Sequence, residues 1–350
     1  MPEDACNLSL QRRFADLVHN SLRSMTFDAE AADDFRYWQR SLREALMNLL
    51  AVHPQDECEV QGEVVSECDM GDYTRQYVRF NSRDGVIIPA FLLIPNDARG
   101  ANFQVRQRPA VLCLHGHGPG KCVPAASGQD VKGNPVVVEG ERDYAVQAVR
   151  EGYLALVPDL RGMGELMLQQ DLDNKLGCSC QQLSQRALMV GRTLLGMRVL
   201  DCISAVDYLL TLPQVDPHAI VCTGQSGGGT ATLFATALDT RFAMSIPSCY
   251  FCTFEHSVMA MAHCDCNYAP GLLNLCEMYD IAGLVAPRPL LIIAGEQDSI
   301  FPIKGVKIAF DKAQQIYQAA GKPDLVELYV GPEGHRYYKA RVWDFVRERL

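Results

Sequence analysis

Cys222-Thr223-Gly224-Gln225-Ser226-Gly227-Gly228-Gly229-Thr230-Ala231-Thr232-Leu233-Phe234 decides the reading of this 350-residue chain. An apolar run, Ala219 to Thr223, leads into it, and a helix-forming run follows. Between them lies Gly-x-Ser-x-Gly, the pattern of a sharp strand-to-helix turn. At either flanking glycine a Cβ would collide with its neighbours, and the strained turn lifts the serine hydroxyl above the sheet edge. The helix that follows aims its N-terminal N–H groups and positive dipole end at the same point, which favours an oxyanion. Glycine-rich turns into helices also serve packing or phosphate binding, so the flanking strand and helix carry the nucleophile reading of Ser226.

Outward from this turn the chain alternates. Apolar runs at RPAVLCLHG, YLALVPD, AIVCTG, FAMSIPS, RPLLIIAGE and VELYVG predict strands. Amphipathic stretches between them predict helices: 141–152, one marked by Leu195, Val199, Ile203, Val206 and Leu210, one over 303–321 and one over 337–350. Strands apolar throughout, alternating with amphipathic helices, imply an α/β class with a mainly parallel central sheet covered on both faces. Three more strands are predicted before these, in 57–68, 73–82 and 85–95, the last two joined by a Ser-Arg-Asp-Gly turn. Residues 8–52 read as helical, with Phe35, Trp38, Leu42, Leu46 and Leu49 on one face and Asp28, Glu30, Asp33 and Asp34 at an acidic start. This gives an N-terminal helical extension over 1–56 and a catalytic domain over 57–350. Two stretches, 119–140 and 166–187, resist assignment, and long loops of this kind often border a site.

A serine hydroxyl needs a base to take its proton and an acid to orient that base. With this type of elbow the partners follow in the order serine, acid, histidine. Of eight histidines only His256, His263 and His335 follow Ser226, and only His335, in GPEGHRY, also follows the final strands. The acid should close the preceding strand: Asp298 lies further out than its competitor Glu296, where a carboxylate reaches a histidine. An Asp here also suits a cap on the helix near Pro302. The oxyanion donors are expected at the N–H of Gly227 and, after strand 110–114, at the N–H of His117.

In order along the chain, HGHGPGK, PDLRGMGE, RTLLGMRVLDCISAVDYL, CTGQSGGGT, CNYAPG, APRPLLIIAGEQDSIFP and GPEGH resemble the α/β-hydrolase superfamily. The likeness covers most of the chain from about residue 75. Within the superfamily it is nearest to the serine esterases grouped with acetyl xylan esterases and dienelactone-hydrolase-like proteins. The resemblance implies a Ser226-Asp298-His335 triad, an oxyanion hole at His117 and Gly227, no cofactor, and hydrolysis of short acyl esters, often acetyl groups on sugars. Dienelactone hydrolase itself uses a cysteine nucleophile, so its lactone substrate is not carried over to a serine.

The remaining features bound the reading. Hydrophobic residues make up 48% and charged ones 21%, enough for a large core, and the net charge of −10 opposes binding to nucleic acid or anionic membranes. Fourteen scattered cysteines, no signal-peptide pattern and no run of about 18 apolar residues point to a reducing cytoplasm and no membrane span. The expected partner is a small-molecule ester, with homo-oligomerisation left open. Arg161, Tyr250 and Tyr268 are candidate substrate contacts, although an arginine in such a loop more often pairs with neighbouring acids, and aromatic residues at a sheet edge often only pack. His115 and His117 at i, i+2 resemble metal ligands. So do Cys249-x-x-Cys252 and His263-Cys264-x-Cys266, but their spacing is not that of regular zinc knuckles, and no metal is expected. Amide hydrolysis and acyl transfer would use the same triad. A binding protein on a retired hydrolase fold would not need all three residues.

Overall fold

The computed structural model describes residues 10–28, 34–52, 59–96 and 107–350. Nine strands form one sheet: β1 (Gly62–Asp69), β2 (Tyr73–Asn81), β3 (Ile87–Pro95), β4 (Arg108–Leu114), β5 (Leu154–Pro158), β6 (Val215–Gln225), β7 (Phe242–Ser248), β8 (Leu290–Gly295) and β9 (Val326–Gly331). The helices are α1 (Leu10–His19), α2 (Phe35–Leu50), α3 (Tyr144–Arg150), α4 (Gln169–Asp173), α5 (Cys180–Met189), α6 (Leu194–Leu210), α7 (Gly227–Leu238), α8 (Leu272–Leu275), α9 (Met278–Gly283), α10 (Ile303–Ala319) and α11 (Val342–Arg349).

The strand order is β1-β2-β3-β5-β4-β6-β7-β8-β9. The first four neighbours run antiparallel. From β5 through β4 to β9 every pairing is parallel. The apolar runs of β4, β5 and β8 are buried because helices cover both faces there. β1, at the edge, is exposed along its whole length and carries Glu63, Glu67 and Asp69, charges that discourage edge-to-edge pairing.

The chain leaves β4 for β5 on one side and later returns to β6 on the other. The strand order therefore reverses at β4, and a crevice opens beyond the carboxyl ends of β4 and β6, the usual ligand position in an open α/β sheet. Leu114 pairs with Gly224, which sets the end of β4 against the serine turn.

Alternation along β4 divides the core. Val111 and Cys113 face a layer built with α3 and α11, whereas Ala110, Leu112 and Leu114 face the layer of α6 and α7. α7 is buried at every residue, and its small side chains allow the close approach: a Cβ on Gly229 would stand 2.7 Å from the carbonyl oxygen of Ser248.

The helical stretch expected over 8–52 is interrupted. α1 ends at His19, and α2 starts at Phe35 with Asp34 as its cap, the carboxylate accepting the N–H of Tyr37 at 2.9 Å. Glu30 and Asp33 of the acidic start lie outside the described residues. α2 buries Leu42, Leu46 and Leu50 in the same core as Leu195, Val199 and Phe234 of α6 and α7, so the extension shares the main core. Gln39 fixes the contact, donating to the carbonyls of Gly283 and Ala286 at 2.7 Å each. The last helix is also shorter than expected, starting at Val342, and α4 and α5 occupy part of the unassigned 166–187 stretch.

Candidate active site

Ser226 has φ 58° and ψ −120°, a backbone state that side-chain-bearing residues avoid unless the surroundings enforce it. Its N–H is held by the carbonyl of Ser248 at 2.9 Å. A Cβ on Gly224 would lie 2.5 Å from the oxygen of Gly228 and 2.6 Å from that of Leu114, and one on Gly228 would run into the same Leu114 carbonyl. The glycines thus let β4, β6 and α7 meet at one point, with the serine as the residue displaced outward.

Asp298 and His335 come together because their loops are laced side by side. Glu296 N–H donates to Gly331 O at 2.8 Å and Gln297 N–H to Glu333 O at 2.9 Å. Gly295 permits this, since a Cβ there would lie 2.7 Å from the Glu333 oxygen. His335 Nδ1 then stands 2.8 Å from Asp298 Oδ2. The other carboxylate oxygen of Asp298 accepts the N–H groups of Ile300 at 2.9 Å and Phe301 at 3.1 Å. Asp298 therefore closes a turn before α10 and orients His335 at once. Burial pushes its carboxyl up, but the His335 hydrogen bond and charge and the two backbone donors outweigh that and hold it below the usual carboxylate range. Glu296 faces solvent. His256 is engaged by Thr253 Oγ1 at 2.7 Å. The imidazole of His335 stacks on Phe301, ring centroids 5.9 Å apart.

The loop after β4 lies against Ser226. A Cβ on Gly116 would lie 2.9 Å from Gln225 O and 3.3 Å from Ser226 Cβ, and one on Gly227 would lie 3.1 Å from the His117 ring. The fully buried His115 holds this loop: Nε2 accepts the N–H of Leu160 at 2.9 Å, which leaves Nδ1 protonated to donate to Gly116 O at 2.8 Å. Desolvation lowers its pKa to about 4 despite the nearby Asp159, so it stays neutral, and both its ring nitrogens are taken up in holding the loop. Asp159 is the hub below it. Its carboxylate accepts the Lys121 N–H at 2.8 Å, Lys121 Nζ at 2.7 Å and the Glu165 N–H at 2.9 Å, and Lys121 also pairs with Glu165.

A cavity of about 350 Å³ opens over these loops. Ser226, Gly227, His117 and His335 all line it, with His263 beside them and with Arg142, Asn267 and Phe301, which the sequence did not single out. The three candidate substrate contacts are elsewhere. Arg161 is buried in two ion pairs, with Asp84 at 2.6 Å and Asp201 at 2.6 Å, so it fixes its loop. Tyr250 is fully buried in the core, and Tyr268 points its hydroxyl at Val258 O at 3.0 Å. Arg142 lies just before α3 without any motif around it, so nothing local could have marked it.

Two groups of side chains in the described residues have the spacing of metal ligands: Cys249 with Asp298 and His335, and His117 with Cys180, Cys264 and Cys266. The first is taken up by the Asp298–His335 pair. The second joins Cys264 and Cys266, which the sequence reading had set with His263, to His117 and Cys180, which it had not. Cys249 and Cys252 instead donate to the carbonyls of Arg336 at 3.0 Å and Pro302 at 3.8 Å. No described helix is long and apolar enough to cross a membrane.

The model of a family described as the Abhydrolase family matches residues 15–339, across the boundary expected at residue 56. YtaP of Bacillus subtilis (strain 168), named as a hydrolase, is 26% identical over 257 residues, 71% of this chain and 77% of its own length. Among solved structures, a Bacteroides fragilis NCTC 9343 protein named as an acetyl xylan esterase superposes with a TM-score of 0.78 at 20% identity, covering 98% of this chain and 86% of that one. A CE15 esterase from a marine bacterial metagenome gives 0.62 at 16% identity, covering 91% and 93%. At these identities the likeness establishes the α/β-hydrolase fold.

Proposed function

The chain belongs to the abhydrolase family, and from that premise we propose that it is a serine carboxylic-ester hydrolase acting on short acyl esters, acetyl esters of sugars foremost. One observation carries the reading: a serine in a strained strand-to-helix turn shares a cavity with a histidine bonded to a buried aspartate. Ser226 Oγ attacks the ester carbonyl while His335 Nε2 takes its proton. Asp298 fixes the ring by its bond at Nδ1 and stabilises the imidazolium. The N–H groups of Gly227 and His117 hold the oxyanion. His335 returns the proton to the leaving alcohol, and water then repeats the sequence on the acyl-enzyme.

The cavity wall favours a polar alcohol. Arg142, His263 and Asn267 offer hydrogen bonds suited to sugar hydroxyls. The sugar acetate reading is also in keeping with the esterases of similar fold. Twelve cysteines are free thiols in the described residues, which supports work in a reducing compartment, the cytoplasm.

The test is turnover of p-nitrophenyl esters from acetyl to octanoyl, beside acetylated sugars and methyl uronates, by wild type and Ser226→Ala. Acetyl turnover that falls about 10⁴-fold or more in the variant is expected. Wild type that is folded yet inert to all of these and to a fluorophosphonate would overturn the proposal.

A further inference from the structure

Two Cys-x-Cys pairs, distant in sequence, converge beside the nucleophile. Cys178 and Cys180 precede or open α5, and Cys264 and Cys266 lie in the long connection between β7 and α8. The imidazole of His117 meets them. Its Nε2 is 3.5 Å from Cys266 Sγ and 3.7 Å from Cys180 Sγ, Cys264 Sγ is 3.2 Å from Cys266 Sγ, and all four ligand atoms lie within 4.8 Å of one another. Small buried thiols used as packing would not need a histidine nitrogen turned toward them.

The separations have a definite meaning. With Zn–S of about 2.3 Å and Zn–N of about 2.0–2.1 Å, a tetrahedral site has S···N edges of roughly 3.5–3.6 Å and S···S edges of roughly 3.8 Å. The two His117 contacts match these edges. Cys264–Cys266 is somewhat short of such an edge and far longer than the bond of about 2.05 Å in a disulfide. Charge points the same way. Arg198 is fully buried, and its hydrogen bonds go to Arg161 O, at 2.9 and 2.6 Å, and to Cys180 Sγ at 3.1 Å. A buried guanidinium calls for a neighbouring negative charge. Three thiolates, one neutral imidazole and a divalent cation sum to −1, which balances it.

We propose that His117, Cys180, Cys264 and Cys266 bind one zinc ion in a closed Cys₃His site. Binding breaks three S–H bonds and releases the three protons to solvent, with no change of oxidation state. Arg198 is the outer donor to Cys180, and Cys178, beside Cys180 and Cys264, borders the site. With four protein ligands no position remains for water, so the ion is structural. It ties the loop after β4 to the start of α5 and to the connection between β7 and α8, whose Ala262, His263, Cys264 and Asn267 line the cavity. Next to Cys266, Asn267 accepts from Thr230 Oγ1 at 3.1 Å, which carries the tie to the first turn of α7. On the proposed function, His117 serves twice: its ring on the metal fixes the backbone N–H that receives the oxyanion. The metal site itself stands on the residues alone and does not depend on that function.

The experiment is metal analysis of the purified full chain from zinc-supplemented cells, after exhaustive gel filtration. About one zinc per chain is expected in wild type, in Ser226→Ala and in Cys68→Ser, whose thiol is exposed and remote. The Cys264→Ser/Cys266→Ser double variant should hold less than about a tenth of that. Cobalt substitution of the wild type reads the ligands without any variant: a tetrahedral d–d spectrum with sulfur-to-cobalt charge transfer is expected. Wild type that is folded but takes up no zinc, gives an octahedral cobalt spectrum, or shows a mass two hydrogens lower from a disulfide within the cluster overturns the proposal. Ester hydrolysis lost in Ser226→Ala with zinc retained separates this result from any failure of the triad.

Discussion

The two walls of the cavity are built differently. On one, Ser226, Asp298 and His335 lie at or just past the ends of strands, and the parallel strands β6, β8 and β9 deliver them to one end of the sheet. On the other, His117, Cys180, Cys264 and Cys266 come from three unrelated connections, and only tertiary packing brings them together. The first wall is set by strand ends, so its geometry follows from topology. The second is set by anchors: the Asp159 hub, the Arg161 ion pairs and the bond from Phe254, in the connection after β7, to Glu277 just before α9. Disturbing the first should abolish chemistry at little cost to folding, and disturbing the second should cost stability.

The largest effect tests the first wall. Asp298→Asn should lower kcat/KM for an acetyl ester roughly 10³–10⁴-fold, with the melting temperature little changed, because the wrong imidazole tautomer is then favoured. Glu296→Gln should leave the rate unchanged. If Glu296→Gln is the damaging change, the acid has been misassigned.

Next comes the second wall. Arg161→Met strips the counter-charge from buried Asp201, which should cost on the order of 3–5 kcal/mol in urea denaturation. KM in the surviving folded fraction should be unaffected. A raised KM at unchanged stability would return Arg161 to the substrate.

Glu277 offers a pH test of the last of these anchors. Its carboxylate accepts the N–H groups of Phe254 and Met278, and burial raises its pKa from 4.5 to about 7 despite those donors. A carboxyl raised on folding contributes fully below its unfolded pKa, and that contribution is lost as pH climbs through the folded value. Stability should therefore fall by roughly 2–3 kcal/mol between pH 4.5 and 8 on this account, and Glu277→Gln should flatten the decline. Parallel profiles for the two proteins would remove Glu277 as the cause.

The smallest effect concerns Arg142 at the cavity wall. Arg142→Ala should raise KM about tenfold for esters of acidic sugars, worth roughly 1.4 kcal/mol, and leave neutral sugar acetates within about twofold. Equal losses on both would make Arg142 a scaffold residue like Arg161.

The contrast also explains what was legible in the sequence. Apolar runs of parallel strands and the Gly-x-Ser-x-Gly turn carry their own local signatures, so the strands, the helix after Ser226 and the order of Ser226, Asp298 and His335 could be read directly. Arg161 reads as a loop arginine, but its partners are Asp84 in the turn between β2 and β3 and Asp201 in α6, 40 residues on, and only the fold reveals them. Tyr250 looked like a pocket aromatic because it follows β7, yet the chain turns inward there, at Cys249 with φ 49°, and buries the ring. Cys178 and Cys180 lie in a stretch without periodicity, so nothing linked them to Cys264 and Cys266. The break between α1 and α2 escaped because an apolar spacing over 35–49 was extended backward past His19.

The Asp159 hub has a consequence for how this scaffold could be re-equipped. It pins Lys121 at one end of the excursion between β4 and α3. At the other end the buried Tyr144 hydroxyl donates to Leu114 O at 2.7 Å. The tip folds largely on itself, Asp130 accepting the N–H groups of Lys132 at 2.9 Å and Asn134 at 2.8 Å, with one outside bond from Lys132 Nζ to Leu176 O at 3.3 Å. With both stems clamped, residues between them form an exchangeable module. Doubling such a loop costs only about 0.6 kcal/mol in closure entropy. Grafted segments of other lengths could therefore reshape the rim while the reacting groups beneath keep their places.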